Sequence, residues 1–129
     1  MSRITTHVLD TVLGKPAAGI RVRLEAMEGG GWIEVSVEDK PGQRLRDVPG
    51  DWIDVSSSIT DADGRCRDLA EVASEGTYRL TFETGKYFAR EGRSSIYPEI
   101  SIVFFCTGEA HYHLPLLLSD NSYTTYRGS

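Results

Sequence analysis

Apolar and polar residues alternate with a period of two along most of the chain. Ile20, Val22 and Leu24 alternate with charged residues, and the segment 77–83 alternates in the same way. This period is typical of strands with one buried and one solvated face. Strands separated by Gly, Pro, Asp or Ser are predicted near residues 3–9, 19–26, 52–56, 65–69, 77–83, 99–105 and 110–118. Seven short strands without a long amphipathic helix favour an all-β antiparallel sandwich.

Two local signals refine this architecture. Asp63-Gly64 is the pair that a tight turn requires, because glycine tolerates a positive φ, and the turn should place Arg65 near the rim of the sandwich. One short helix is predicted over 84–90, with Thr84 as its N-cap and Gly92 ending it.

Length and charge limit the class of protein. The 129 residues fit one domain spanning 1–129. The net charge is −5, and the basic residues form no dense cluster, which argues against a nucleic-acid partner. No apolar run approaches the ~20 residues of a membrane span. The first residues contain no leader-like apolar core, so an intracellular protein is predicted. The expected compartment is the cytoplasm, and the peroxisome is the alternative in a eukaryote.

The chain has three histidines, and two of them share one strand face. On a strand over 110–118, His111 and His113 project to one side, whereas Tyr112, Leu114 and Leu116 form the better core set on the other. The imidazole face also carries a proline and a leucine but no charged residue. Such a face suits a subunit contact that lines a site better than open water.

Each histidine taken alone is more often a structural or surface residue than a catalytic one. Together, His7, His111 and His113 allow a more specific hypothesis, a three-histidine zinc site. Zinc-binding imidazoles usually also have carboxylate partners, and none is readable near these positions. Cys66 and Cys106 lack a metal-binding or redox spacing and are predicted to be buried free thiols.

The last residues, Tyr126-Arg127-Gly128-Ser129, differ from the usual mobile terminus. The segment 123–129 is aromatic and carries one charge, at Arg127, whereas disordered tails are poor in aromatic residues. We therefore expect the tail to dock onto the domain.

Three motifs together resemble the 5-hydroxyisourate hydrolases, purine-catabolic relatives of transthyretin. They are Ile4-Thr5-Thr6-His7-Val8-Leu9-Asp10, the turn Ala62-Asp63-Gly64-Arg65, and His113 followed by the tail. The resemblance implies a transthyretin-like sandwich of seven to eight strands with one short helix. It also implies a homotetramer, built as a dimer of dimers with sites at the interface between dimers. No cofactor, metal, nucleic acid or membrane is implied as a partner.

The same resemblance implies the reaction and the residues that carry it. The small-molecule substrate would be 5-hydroxyisourate, opened at a cyclic amide to 2-oxo-4-hydroxy-4-carboxy-5-ureidoimidazoline in urate degradation. The catalytic residues would be His7, Arg65, His113 and Ser129, and the substrate-binding residues Tyr126, Arg127, Gly128 and His111. The other hypotheses are a transthyretin-type small-molecule carrier, the zinc hydrolase, and an interaction module that uses an inserted loop.

That inserted loop is predicted at about 29–50. Relatives usually carry one Trp eight residues before the Thr of the turn motif, and Trp52 has this spacing to Thr60, whereas Trp32 does not. The stretch between them is rich in glycine and charge, which favours a surface loop, with a lid over the site as the alternative.

Overall fold

Two sheets contribute to one hydrophobic cluster in the computed structural model, which describes residues 1–28, 31–37, 40–48 and 50–129, and only the backbone of 31–37 and 40–48. The strands are β1 Ser2–Asp10, β2 Lys15–Pro16, β3 Arg21–Glu28, β4 Gly31–Val37, β5 Lys40–Val48, β6 Asp51–Ile59, β7 Arg65–Val72, β8 Gly76–Phe82, β9 Ile100–Cys106, β10 His111–His113, β11 Leu116–Ser119 and β12 Ser122–Thr125. The helix α1 spans Thr84–Arg90. The predicted all-β sandwich with one short helix is confirmed.

The first sheet is centred on β1. This strand pairs with β10 and β11 in parallel and with β2 and β7 antiparallel, and β12 extends the sheet beyond β11. The second sheet has the antiparallel order β6-β3-β8-β9. The first sheet is thus mixed rather than wholly antiparallel, because alternation predicts which face a strand buries but not the direction of its partner.

The strand predicted over 110–118 is divided by Pro115. β10 ends at His113 and β11 begins at Leu116, as expected for a residue without a backbone donor. Tyr112, Leu114 and Leu116 are buried in the core, as predicted, while His111 is exposed and His113 half-buried. The imidazoles therefore lie on the outer face of the first sheet.

The predicted insertion at about 29–50 includes residues 29, 30, 38, 39 and 49, which lie outside the described residues. The described backbone within it forms the antiparallel hairpin β4–β5, a two-stranded sheet of its own. Its role as a loop or a lid stays a prediction.

The helix begins one residue after Glu83, which occupies the N-cap position, so the prediction of Thr84 as the cap was wrong. β8 extends to Phe82 and leaves only Glu83 between strand and helix, and Thr84 is fully buried in the first turn. Gly92, with φ of 69°, follows the helix as predicted. In the described parts of the chain, no helix is long and apolar enough to cross a bilayer.

The carboxyl end of β1 is held by a group of polar side chains, here called the Asp10 cluster: Asp10, Tyr87, Arg93 and Asp120. Asp10 is completely buried and accepts hydrogen bonds from the Tyr87 hydroxyl at 2.8 Å and from Arg93 Nη1 at 2.5 Å. Arg93 also pairs with Asp120 in the turn between β11 and β12. The cluster thus ties β1 to the segment after α1 and to the β11–β12 turn.

Both cysteines are free and buried, as predicted. Burial raises the pKa of the Cys66 thiol. Cys66 is therefore not poised as a nucleophile.

Candidate active site

Strand register brings the predicted catalytic side chains to one face of the first sheet. Across β1 and β10, Thr5 pairs with His113, and across β1 and β7, His7 pairs with Arg65. Residues two apart share a strand face, so Thr5 and His7 lie on the same side of β1. His111 lies opposite Arg3 in the same register. Three separate parts of the chain therefore meet along β1.

The turn before β7 places Arg65. Asp61 Oδ1 accepts hydrogen bonds from the backbone N–H of Asp63 at 2.9 Å and of Arg65 at 3.0 Å. Gly64 has φ of 76°, and its carbonyl accepts from the Val8 amide at 2.7 Å. A Cβ on Gly64 would lie 2.3 Å from the Val8 carbonyl oxygen, so glycine allows the turn to press against β1. This contact explains why Arg65 reaches the side of His7.

The Thr5 hydroxyl bridges two imidazoles. Its Oγ1 lies 2.7 Å from Nε2 of His111 and 2.8 Å from Nδ1 of His113, both hydrogen-bonding distances. The ring centroids of the two histidines are 6.0 Å apart. Thr5 itself is 5% exposed, so its hydroxyl has little access to water.

These residues line a cavity of about 190 Å³, here called the imidazole pocket. Its lining consists of Arg3, Thr5, Thr6, Arg65, Arg67, His111, His113 and Ser129. Three arginines therefore line the same cavity as the two imidazoles. Within the described part of the chain, no Asp or Glu lines the pocket. Such an excess of positive charge attracts anions and oxygen-rich ligands.

Burial lowers the pKa of His113 below its usual 6.5, and the nearby positive charges of His111, Arg65 and His7 lower it further. A histidine with a lowered pKa is neutral at pH 7 and can accept a proton. His113 therefore meets the first requirement of a general base.

The tail docks beside His113, as the sequence predicts. The Gly128 amide donates a hydrogen bond to the His113 carbonyl at 2.7 Å, and Ser129 lines the imidazole pocket. A Cβ on Gly128 would lie 2.7 Å from Cδ2 of His113. The absence of a side chain thus lets the tail backbone lie against the ring.

The remaining tail residues point elsewhere. The Arg127 guanidinium stacks on the ring of Tyr112, 4.7 Å from its centroid, and Tyr112 lies on the core side of β10. Tyr126 is 53% exposed and, like Arg127, is not among the residues that line the imidazole pocket.

The structure thus gathers four of the residues predicted for the site, Arg65, His111, His113 and Ser129, around one cavity, with His7 next to Arg65. Sequence reasoning missed four others: Arg3, Thr5, Thr6 and Arg67. A period-two signal was available for three of them, because Thr5 lies two residues before His7, Arg3 two before Thr5, and Arg67 two after Arg65.

The geometry does not favour a metal centre. Among the side chains that the structure describes, no three His, Cys, Asp or Glu are grouped so that they could hold a metal ion. Nδ1 of His113 and Nε2 of His111 both face the Thr5 hydroxyl.

Comparison with known proteins shows the family of the chain. The profile described as "Transthyretin: HIUase/Transthyretin family" matches residues 4–128. The chain is 41% identical to the 5-hydroxyisourate hydrolase of Mus musculus, over 99% of this chain and 96% of the mouse protein. It superposes on Klebsiella pneumoniae 5-hydroxyisourate hydrolase with a TM-score of 0.76 and 35% identity, covering 100% of both chains. Transthyretin from Sparus aurata gives the same TM-score at 27% identity, covering 98% of this chain and 96% of that one. The chain belongs to the HIUase/transthyretin family.

Proposed function

We propose that this chain is an enzyme that hydrolyses 5-hydroxyisourate to 2-oxo-4-hydroxy-4-carboxy-5-ureidoimidazoline in urate degradation. Curated relatives with that name support an enzyme with this activity. The observation that carries the proposal is the convergence of His113, Arg65 and Ser129 on one cavity, with His7 beside Arg65. These residues supply a base, a positive charge and a hydroxyl within one small volume.

The charge of the imidazole pocket fits this reaction. Hydrolysis of the cyclic amide develops negative charge on the carbonyl oxygen and produces a carboxylate. Arg65 is half-buried and placed to stabilise that oxygen, and Arg3 and Arg67 add positive charge. Arginine suits carboxylates and oxyanions because its planar guanidinium offers several donors.

The histidines account for the proton transfers. A neutral His113 accepts a proton from water as the oxygen attacks the carbonyl carbon; the carbon–nitrogen bond then breaks, and a protonated imidazole donates to the departing nitrogen. Its lowered pKa keeps His113 in the accepting form at neutral pH. His7 lies beside Arg65 and is the second acid–base candidate, while Ser129 orients water or substrate. The residues of the chain perform each of these steps.

We also propose that the active form is a homotetramer in which a second subunit covers the imidazole pocket. Arg3, Arg67, His111 and Ser129 are exposed in the isolated chain, and water would screen their charges there. A partner over this face would exclude water and strengthen each electrostatic contact. Light scattering of the purified chain tests the assembly.

The decisive experiment is an ultraviolet assay. Urate oxidase generates 5-hydroxyisourate in situ, and the loss of its absorbance is followed with and without the chain. We expect the chain to accelerate the decay. A chain that binds the compound but leaves its decay rate unchanged would be a carrier, and the proposal would be wrong.

A further inference from the structure

We propose that the Thr5 hydroxyl is a proton bridge between His111 and His113, so that a proton taken up by one ring is passed to the other. Its catalytic consequence rests on the proposed function, although the bridge itself is a property of the resting protein. The proposal is supported by geometry: the nearly buried Thr5 hydroxyl lies 2.7 Å from a nitrogen of His111 and 2.8 Å from a nitrogen of His113.

The bridge follows from the hydrogen-bonding capacity of a hydroxyl. Thr5 has one proton to donate and two lone pairs that accept. It can therefore donate to only one of the two rings at a time and must accept from the other. The tautomers of the two neutral histidines are consequently coupled through Thr5.

Two arrangements satisfy both contacts. In the first, His111 donates from Nε2 to Thr5 and Thr5 donates to Nδ1 of His113, whose own proton is then on Nε2. In the second, Thr5 donates to Nε2 of His111, and His113 donates from Nδ1 to Thr5. Nε2 of His113 is then bare and able to act as a base. The two arrangements differ in whether His113 offers a proton or accepts one.

A proton taken from water converts the hydrogen bonds of the second arrangement into those of the first and leaves one extra proton on His111. Nε2 of His113 gains that proton, the proton on its Nδ1 moves to Thr5 Oγ1, and the hydroxyl proton of Thr5 moves to Nε2 of His111. No bond between heavy atoms changes, and the positive charge ends on His111. His113 is then neutral, with a proton on Nε2.

The surroundings favour this direction of transfer. His113 is half-buried, whereas His111 is exposed, so a positive charge costs less free energy on His111. The charged or titratable groups that line the pocket or neighbour these rings are Arg3 and His7 from β1 and Arg65 and Arg67 from β7. Arg65 and His7 act on His113 and disfavour a charge that stays on the more buried ring. Arg3 lies opposite His111, and the charge of Arg67 is partly offset by Asp63, 3.7 Å away.

Thr5→Val tests the bridge, because valine has nearly the same shape and favours a strand but has no hydroxyl. Thr5→Ser is the rescue variant, since it restores the hydroxyl. The matched control is Thr81→Val in the second sheet, where a buried threonine hydroxyl contacts Ser101 at 3.0 Å, outside the site. If Thr5→Val folds poorly, Thr5→Ala removes the same hydroxyl without adding volume.

The first readout is nuclear magnetic resonance of the resting protein labelled with ¹⁵N-histidine. In the wild type and in Thr5→Ser, we expect protonation of one ring to change which nitrogen of the other ring carries its proton, and the nitrogen shifts report that tautomer. In Thr5→Val, charge repulsion between the rings remains, but the tautomer of one ring should no longer depend on the other. Coupled tautomers that persist in Thr5→Val would overturn the bridge, whatever the protein catalyses.

The second readout is kinetic. We expect Thr5→Val to lower kcat at least about tenfold, to change KM less than about twofold, and to alter the pH profile of kcat, with recovery in Thr5→Ser. A purely structural threonine would not produce this split or the altered profile. Wild-type kcat in Thr5→Val would refute the catalytic role of the bridge. An inactive wild type would instead refute the proposed function, and the resonance experiment would still decide the bridge.

Discussion

The two ends of β1 carry polar groups of opposite character. Near its start, Thr5 and His7 lie among imidazoles and three arginines, and no acidic side chain from the described residues lines that pocket. At its end, the Asp10 carboxylate is fully buried yet accepts from Tyr87, Arg93 and the amides of Val12 and Leu13. At the first end, the only ion pair that the three arginines make among the described residues is the exposed contact of Arg67 with Asp63 at 3.7 Å, whereas the buried charge at the other end is fully satisfied.

This difference separates function from stability. A buried carboxylate with several donors holds elements together, because removing any partner leaves the others unsatisfied. A group of like charges gains nothing for the fold and is useful only when a ligand of opposite charge arrives. We therefore expect changes in the imidazole pocket to affect activity and changes in the Asp10 cluster to affect stability.

The largest expected effect is on catalysis. Single substitution of His113, Arg65 or His7 by Ala should lower the turnover of 5-hydroxyisourate by at least about 10²-fold, as for other acid–base and charge-stabilising groups. Unfolding in urea should change by no more than about 1 kcal/mol, because these side chains are not in the core. Wild-type turnover in one variant would remove that residue from the mechanism.

The reciprocal change is Asp10→Asn. It should lower the free energy of unfolding by about 3 kcal/mol, since it leaves Arg93 without one of its two carboxylates. The activity per folded molecule should stay close to that of the wild type, because Asp10 lies about 16 Å along the strand from Thr5. Unchanged stability in urea, or a selective loss of turnover, would break the contrast between the two ends.

A smaller effect is expected at the tail. Gly128→Ala would place a Cβ 2.7 Å from Cδ2 of His113, so the tail must shift away from the ring. Turnover should fall about tenfold through lost positioning, with little change in thermal stability. Thr124→Ala, at an exposed position of β12, is the control. Full activity in Gly128→Ala would show that the contact of the tail with the ring is not required.

Acidification should affect the two ends in different pH ranges. The pKa of His113 is lowered from 6.5, so the unfolded chain binds a proton first, and stability decreases as pH falls through the window just below 6.5. The base form of His113, and with it kcat, should be lost only at the lowered pKa.

Burial raises the pKa of Asp10, but hydrogen bonds from Arg93, the Leu13 amide and Tyr87 outweigh it, so the pKa lies below 3.8. The contribution of Asp10 to stability should therefore be lost only below pH 3.8. Activity and the free energy of unfolding should be followed together from pH 8 to pH 3. We expect kcat to be lost at a higher pH than the stability that Asp10 contributes, and loss of the two at the same pH would contradict this expectation.

The smallest expected effect is that of metal removal. EDTA should leave the decay rate of 5-hydroxyisourate unchanged if the residues of the chain carry the proton transfers. A rate abolished by EDTA and restored by zinc would favour the zinc hydrolase hypothesis for His7, His111 and His113.

Much of this architecture could be predicted because its signals are local. The period of two identified seven strand regions and placed Tyr112 in the core and the imidazoles outside it. It did not identify β2, the hairpin β4–β5 or β12. Asp63-Gly64 marked the turn that delivers Arg65, and the aromatic tail was recognised as docked. The capping prediction at Thr84 was wrong, because the end of β8 determined where the helix begins.

The sequence by itself determined which residues face the core, since each strand repeats every two residues whatever its partner is. Only the tertiary structure decided which side chains meet. Thr5 and His113 are 108 positions apart and come together because β1 and β10 pair in one particular parallel register. A register shift of one residue would turn Thr5 away from both imidazoles. Long-range pairing, which no local pattern encodes, therefore brought together the Thr5 contacts with both imidazoles, the three arginines that line the imidazole pocket, and the Asp10 cluster.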